Sequence, residues 1–134
     1  TAEMYPVPGK LETKFKTHET IGAFLKQPHI SREDVILATK VCGRSEHINW
    51  LRKEKGLNTR VDRKQILESV DESLKALGTD YIDLLQIHWP ERYVGSLFGQ
   101  ADFTPSKYSS EITSFEEQLS TLQELIELGK IRHV

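Results

Sequence analysis

Tyr5, Lys40 and His88 are the residues whose types and placement could do chemistry together. Lys40 ends the apolar run Val35-Ile-Leu-Ala-Thr-Lys40-Val41. His88 ends a second run, Tyr81-Ile-Asp-Leu-Leu-Gln-Ile-His88, and is followed by Trp89-Pro90. In a barrel of parallel strands, the carboxyl ends of the strands form the active face and the other end is structural. A lysine and a histidine at such ends, with a tyrosine in an earlier loop, are the parts needed to protonate a carbonyl oxygen. Taken singly, each has a plainer reading. Lys40 would be a surface lysine at a fraying strand end, His88 a satisfied structural group, Tyr5 a packing residue in a Pro-rich loop, and Trp89 a core plug. A lysine buried at a barrel mouth is expensive unless it is paired or functional.

The elements that must position these residues follow from punctuation and periodicity. Residues 1–10 hold Pro6, Pro8 and Gly9 and read as loop. A helix is expected from about Glu12 to Gln27, with Ile21, Phe24 and Leu25 on one face and Pro28 as its stop. After a turn at Ser31–Asp34, Val35–Val41 is an almost wholly apolar strand, as expected where helices cover a parallel sheet. A polar loop, 42–59, leads to a helix from about Val61 to Leu77. Its buried stripe is Ile66, Val70, Leu74 and Leu77, and Gly78 stands where a left-handed cap belongs. Tyr81–His88 is the second strand. A second long loop, 89–113, includes Gly95, Gly99 and the pair Ser109-Ser110. Ser114 with Glu117 then forms a capping box for a helix with the stripe Leu119, Leu122 and Ile126, ended by Gly129. A third strand begins at Ile131.

Strands alternating with helices predict an α/β fold with parallel strands and right-handed crossovers. Strand alternation puts Lys40 on a face with Ala38 and Ile36, and His88 on a face with Gln86 and Leu84. No Gly-x-Gly-x-x-Gly follows a strand, which weakens an open dinucleotide-binding sheet. Long loops leaving strand carboxyl ends are uncommon unless they build a lid or a binding wall.

Composition removes other classes. The net charge of −2 in 134 residues points neither to nucleic acid nor to an anionic membrane. Charged clusters such as Arg52-Lys-Glu-Lys55 read as solvated surface. The apolar runs are far too short to span a bilayer. The single cysteine, Cys42, cannot form an intrachain disulfide, so a reducing, cytoplasmic setting is expected. No set of metal ligands stands out.

Tyr5 in Thr1-Ala-Glu-Met-Tyr5, Lys40 in Leu37-Ala-Thr-Lys-Val41 and His88 in Leu85-Gln-Ile-His-Trp-Pro90 together resemble the aldo-keto reductase superfamily. The resemblance covers essentially the whole chain, including Ser73-Leu-Lys-Ala-Leu-Gly-Thr-Asp-Tyr-Ile-Asp-Leu84 and Gly129-Lys-Ile-Arg132. Ala2-Glu-Met-Tyr-Pro-Val-Pro8 and Trp89-Pro-Glu-Arg-Tyr-Val94 look most like its Tas-like branch. The resemblance implies a (β/α)₈ barrel that reduces aldehydes or ketones to alcohols with NADPH. Tyr5 would give the proton to the carbonyl oxygen as hydride arrives. Lys40, a cation beside the phenol, would ease that transfer. His88 would hydrogen-bond and orient the substrate oxygen, and Trp89 would line the pocket.

The family's aspartate would stand one residue before Thr1, and its strand-5 Gly-x-Ser-Asn just after Val134. The chain is therefore expected to be one segment, residues 1–134. It would be the N-terminal half of such a barrel, truncated at both ends, running from the loop after strand 2 to the start of strand 5. Most of the cofactor site would lie elsewhere, and no residue of this segment is assigned to it. The segment alone is expected to be inactive. The expected partner is a small carbonyl substrate, with NADPH against NADH and oligomeric state left open. A rival from another class is a non-enzymatic barrel subunit acting through protein partners, like the potassium-channel beta subunits. His88-Trp89-Pro90 tells against it, because those subunits lack the histidine. A third reading, a truncated product with only an interaction role, stays open.

Overall fold

The computed structural model describes residues 1–54, 56–94, 104–107 and 111–134. The chain runs α1 (Lys16–Leu25), β1 (Ala38–Val41), α2 (Arg63–Leu77), β2 (Ile82–Ile87), α3 (Phe115–Glu127) and β3 (Ile131–His133), with 3₁₀ turns at Arg32–Asp34 and Pro105–Lys107. The sheet order is β1-β2-β3 and both pairings are parallel. Alternation of helix and strand therefore produced the expected parallel α/β arrangement. Gly95, Gly99, Ser109-Ser110 and Lys55 lie outside the described residues.

Each helix shows why its sequence starts and stops it. Asp62 caps α2 by accepting from the Gln65 N–H at 2.8 Å, and Gly78 ends it in the left-handed region at φ 64°. Only glycine adopts that conformation without a steric penalty. Ser114 caps α3 by accepting from the Glu117 N–H at 3.1 Å. The expected reciprocal half of that box is diverted: the Glu117 carboxylate accepts from the Arg63 backbone N–H at 3.0 Å, tying α3 to the start of α2. α1 starts later than periodicity suggests. Residues 10–14 form a hydrogen-bonded turn, and Phe15 sits at φ 62°, donating its N–H to the Glu3 carbonyl at 3.1 Å. A long-range contact, rather than a side-chain cap, sets that boundary.

The main core lies between the sheet and its helices. Ile66, Val70 and Leu77 of α2, Leu122 and Leu125 of α3, and Ile82, Leu85 and Ile131 of the strands meet there, with Leu74 and Ile126 at its margin. Full burial of one such side chain contributes about 1.5–3 kcal/mol. Two expected contacts fail: Leu119 is 61% exposed and Phe24 45%. α3 buries the stripe through Leu122 and Leu125 instead, and α1 turns His18 and Gly22 inward. Gly22 permits close helix packing, because a Cβ there would lie 2.6 Å from the Leu77 carbonyl oxygen.

The strands are shorter than the apolar runs that encode them. Ile36 is 86% exposed and only Ala38–Val41 joins the ladder. The Leu37 carbonyl accepts from both Asp83 and Leu84, so strict alternation slips there and Ile82 and Leu85 share one core. At the amino end of the sheet, Asp83 accepts from the Leu37 N–H, Arg32 and Arg132, and both arginines lie 3.9 Å from the Tyr81 ring centroid. Burial opposes charge on Asp83, but these donors hold its carboxyl below the usual range. No helix among the described residues is long and apolar enough to cross a membrane.

Candidate active site

Residues 1–5 are laid along β1 by backbone bonds. The Thr1 nitrogen donates to the Ala38 carbonyl at 2.9 Å and the Glu3 N–H to the Lys40 carbonyl at 3.2 Å, an every-other-residue pattern like that of a parallel ladder. The Tyr5 N–H then bonds back to the Ala2 carbonyl at 3.1 Å, closing a turn. Lys40 pairs in register with Gln86, and the His88 N–H donates to the Val41 carbonyl at 2.8 Å. Lys40 and His88 thus sit at the carboxyl ends of adjacent parallel strands, as the sequence predicts.

These elements bring the three side chains together. The Tyr5 hydroxyl lies 3.5 Å from His88 Nε2, with the two rings nearly perpendicular at 82°. The Lys40 ammonium is 5.9 Å from the Tyr5 ring centroid and donates to the Thr1 carbonyl at 2.9 Å. His88 has its protonated form disfavoured, first by burial and then by Lys40, against a smaller opposing effect of Glu3. A neutral imidazole beside a tyrosine hydroxyl and an ammonium group can hold an oxygen atom and supply it with a proton. His88 Nδ1 is buried without a hydrogen-bond partner among the described residues.

Trp89 is mostly packed in the protein interior beside His88. It is 8% exposed, its indole N–H donates to the Arg44 carbonyl at 2.8 Å, and its ring centroid lies 5.0 Å from that of His88. It belongs to a second core with Met4, Cys42, Ile48 and Leu51, beneath the site. Gly43 is pressed against it, since a Cβ there would fall 1.8 Å from the Trp89 carbonyl oxygen. Burial, reinforced by Glu3, pushes the Cys42 thiol far up, so it is no nucleophile.

The largest departure from the sequence reading is Arg52. Its side chain is fully buried, not solvated, and forks onto the equally buried Glu3 carboxylate at 2.6 and 2.9 Å. Glu3 also accepts from the Cys42 N–H at 2.6 Å, and Arg52 Nε donates to Gln65 Oε1 at 2.7 Å. Glu91 is a second hidden anchor. It is buried against Arg60 and accepts from the Val61 N–H at 2.7 Å, fixing the residues after Trp89 to the start of α2. Partners so distant in sequence leave no local signal.

A surface cleft of about 270 Å³, lined by Leu11, Lys14, Asn49, Trp50, Arg52 and Lys53, does not include the three site residues. Among the described residues no cluster of His, Cys, Asp and Glu could hold a metal ion.

Residues 1–134 match the model of the aldo/keto reductase family. The chain is 44% identical over 105 residues to an aldo-keto reductase of Babesia bovis, covering 74% of this chain and 35% of the relative. It is 40% identical over 135 residues to protein tas of Escherichia coli K12, covering 99% of this chain and 37% of tas. Among solved structures, the holo form of aldo-keto reductase AKR11C1 from Bacillus halodurans superposes with a TM-score of 0.54 at 30% identity, covering 89% of this chain and 31% of that one. The chain therefore spans about a third of the length of each of these proteins, and its parallel strands and helices are part of a (β/α)₈ barrel. By its match from end to end, by its Tas-like relatives and by its fold, the chain belongs to the aldo/keto reductase family.

Proposed function

We propose that residues 1–134 work as one segment of a complete reductase barrel that converts aldehydes or ketones to alcohols with NADPH. The observation that carries this reading is the convergence of Tyr5 and His88 at 3.5 Å, with Lys40 beside them at the strand ends. The donor set suits a carbonyl oxygen gaining a proton as its carbon gains hydride. NADPH supplies the hydride, and holding the dinucleotide falls to parts of the barrel beyond this third.

The substrate oxygen sits between the Tyr5 hydroxyl and His88 Nε2, each donating a hydrogen bond. This requires the neutral His88 tautomer with its proton on Nε2, and burial and Lys40 both favour the neutral ring. As negative charge grows on that oxygen, donors already aimed at it stabilise it without reorganising. Tyr5 then transfers its proton, and the nearby ammonium of Lys40 stabilises the phenolate left behind. One hydride and one proton are consumed per carbonyl, giving the alcohol and oxidised cofactor.

The intact protein should oxidise NADPH only when a carbonyl compound is added, at a rate proportional to enzyme. No turnover across a panel of aliphatic and aromatic aldehydes and ketones would reject the reading.

A further inference from the structure

We infer that the buried Glu3–Arg52 pair is a positioning device for the proton donor, setting where Tyr5 stands relative to Lys40 and His88. This rests on the reductase reading. Glu3 lies two residues before Tyr5, and both of its carboxylate oxygens are committed. Oε1 accepts from the Cys42 N–H, two residues beyond Lys40, at 2.6 Å and from Arg52 at 2.9 Å, while Oε2 accepts from Arg52 at 2.6 Å. One carboxylate therefore joins the Tyr5 loop, the carboxyl end of β1 and the loop that follows β1.

Arg52 carries the brace onward to a rigid element. Its Nε donates to Gln65 Oε1 at 2.7 Å, on the first turn of α2, and Gln65 Nε2 donates to the Asn58 carbonyl at 3.0 Å. Arg52, Glu3 and Gln65 are all at most 2% exposed. A planar guanidinium donating to three fixed acceptors leaves little freedom in distance or angle. A pair that merely held the fold could be replaced by apolar groups of similar volume, often without loss of stability. Its placement between the donor's loop and the donor's neighbours gives it a further use, since a shift of about 1 Å in a reacting group can slow a reaction about 10²-fold.

A double-mutant comparison in the intact reductase separates positioning from a general structural role. The paired change Glu3→Gln with Arg52→Met removes both charges together, so that neither is left buried alone. It is made in the wild type and in Tyr5→Phe. In the wild type it should lower kcat by at least about 10-fold, with Kd for NADPH and the far-UV spectrum unchanged. In the Tyr5→Phe background it should lower the residual rate by less than about 2-fold, because the group it positions has already gone. An equal drop in both backgrounds, or no drop in the first, overturns the inference while leaving the reductase reading intact. A wild type without turnover sinks both. If the paired variant does not fold, Arg52→Lys takes its place: it keeps the charge, loses the fork, and is judged by the same two comparisons.

Discussion

Replacing His18 with glutamine should remove a specific part of the protein's acid sensitivity. His18 is fully buried on α1, with Nε2 2.8 Å from the Thr39 hydroxyl, the Phe15 ring edge-on at 5.2 Å, and Nδ1 without a hydrogen-bond partner among the described residues. Burial lowers its pKa from the ordinary 6.5 to about 4. The folded state thus resists a proton that the unfolded chain accepts. Stability from this residue is complete above the unfolded value of about 6.5, declines as the pH falls, and levels off below about 4. At about 1.4 kcal/mol per pH unit the gap amounts to about 3 kcal/mol. Glutamine places an amide where Nε2 was, able to meet Thr39 but unable to titrate. Urea unfolding of both proteins between about pH 7 and pH 4 lets the shared carboxylate contributions cancel. The wild type should lose about 3 kcal/mol relative to His18→Gln over that span. Parallel curves would show that His18 takes up its proton in the fold, and the burial argument would fail.

Two further substitutions probe the site. Gly43→Ala forces a methyl group 1.8 Å from the Trp89 carbonyl oxygen and 2.4 Å from its ring. Destabilisation of about 3 kcal/mol with a shifted tryptophan emission is expected, and an unchanged melt and spectrum would contradict the packing described. Lys40→Met removes one of the charges that disfavour protonated His88. The His88 titration followed by NMR should move upward, and an unmoved midpoint would mean the ammonium is not felt there.

What the sequence made legible was whatever local chemistry decides. The Gly78 and Ser114 caps, the α2 stripe and the places of Lys40 and His88 all depend on residues within a turn or two, and they stand where periodicity put them. Features set by distant partners were misread. α3 carries two apolar lines, one through Phe115 and Leu119 and one through Leu122 and Leu125. Helical period alone cannot choose between them, and packing against α2 and the sheet selected the second. The start of α1 is set by Phe15 binding the Glu3 carbonyl, and Arg52 looked solvated because Glu3 lies 49 positions away. Periodicity carries no information about such pairs. The Tyr5–His88 contact spans 83 positions, and no local pattern encodes it.

The central claim is that Tyr5 delivers the proton. Tyr5→Phe keeps the ring that packs edge-on to His88 and deletes only the hydroxyl. Single-turnover reduction of a good carbonyl substrate by the intact protein, with NADPH saturating, reads that step directly. The account predicts a fall of about 10²–10⁴-fold with NADPH affinity unchanged. A Tyr5→Phe protein that keeps more than about a tenth of the wild-type rate would contradict it.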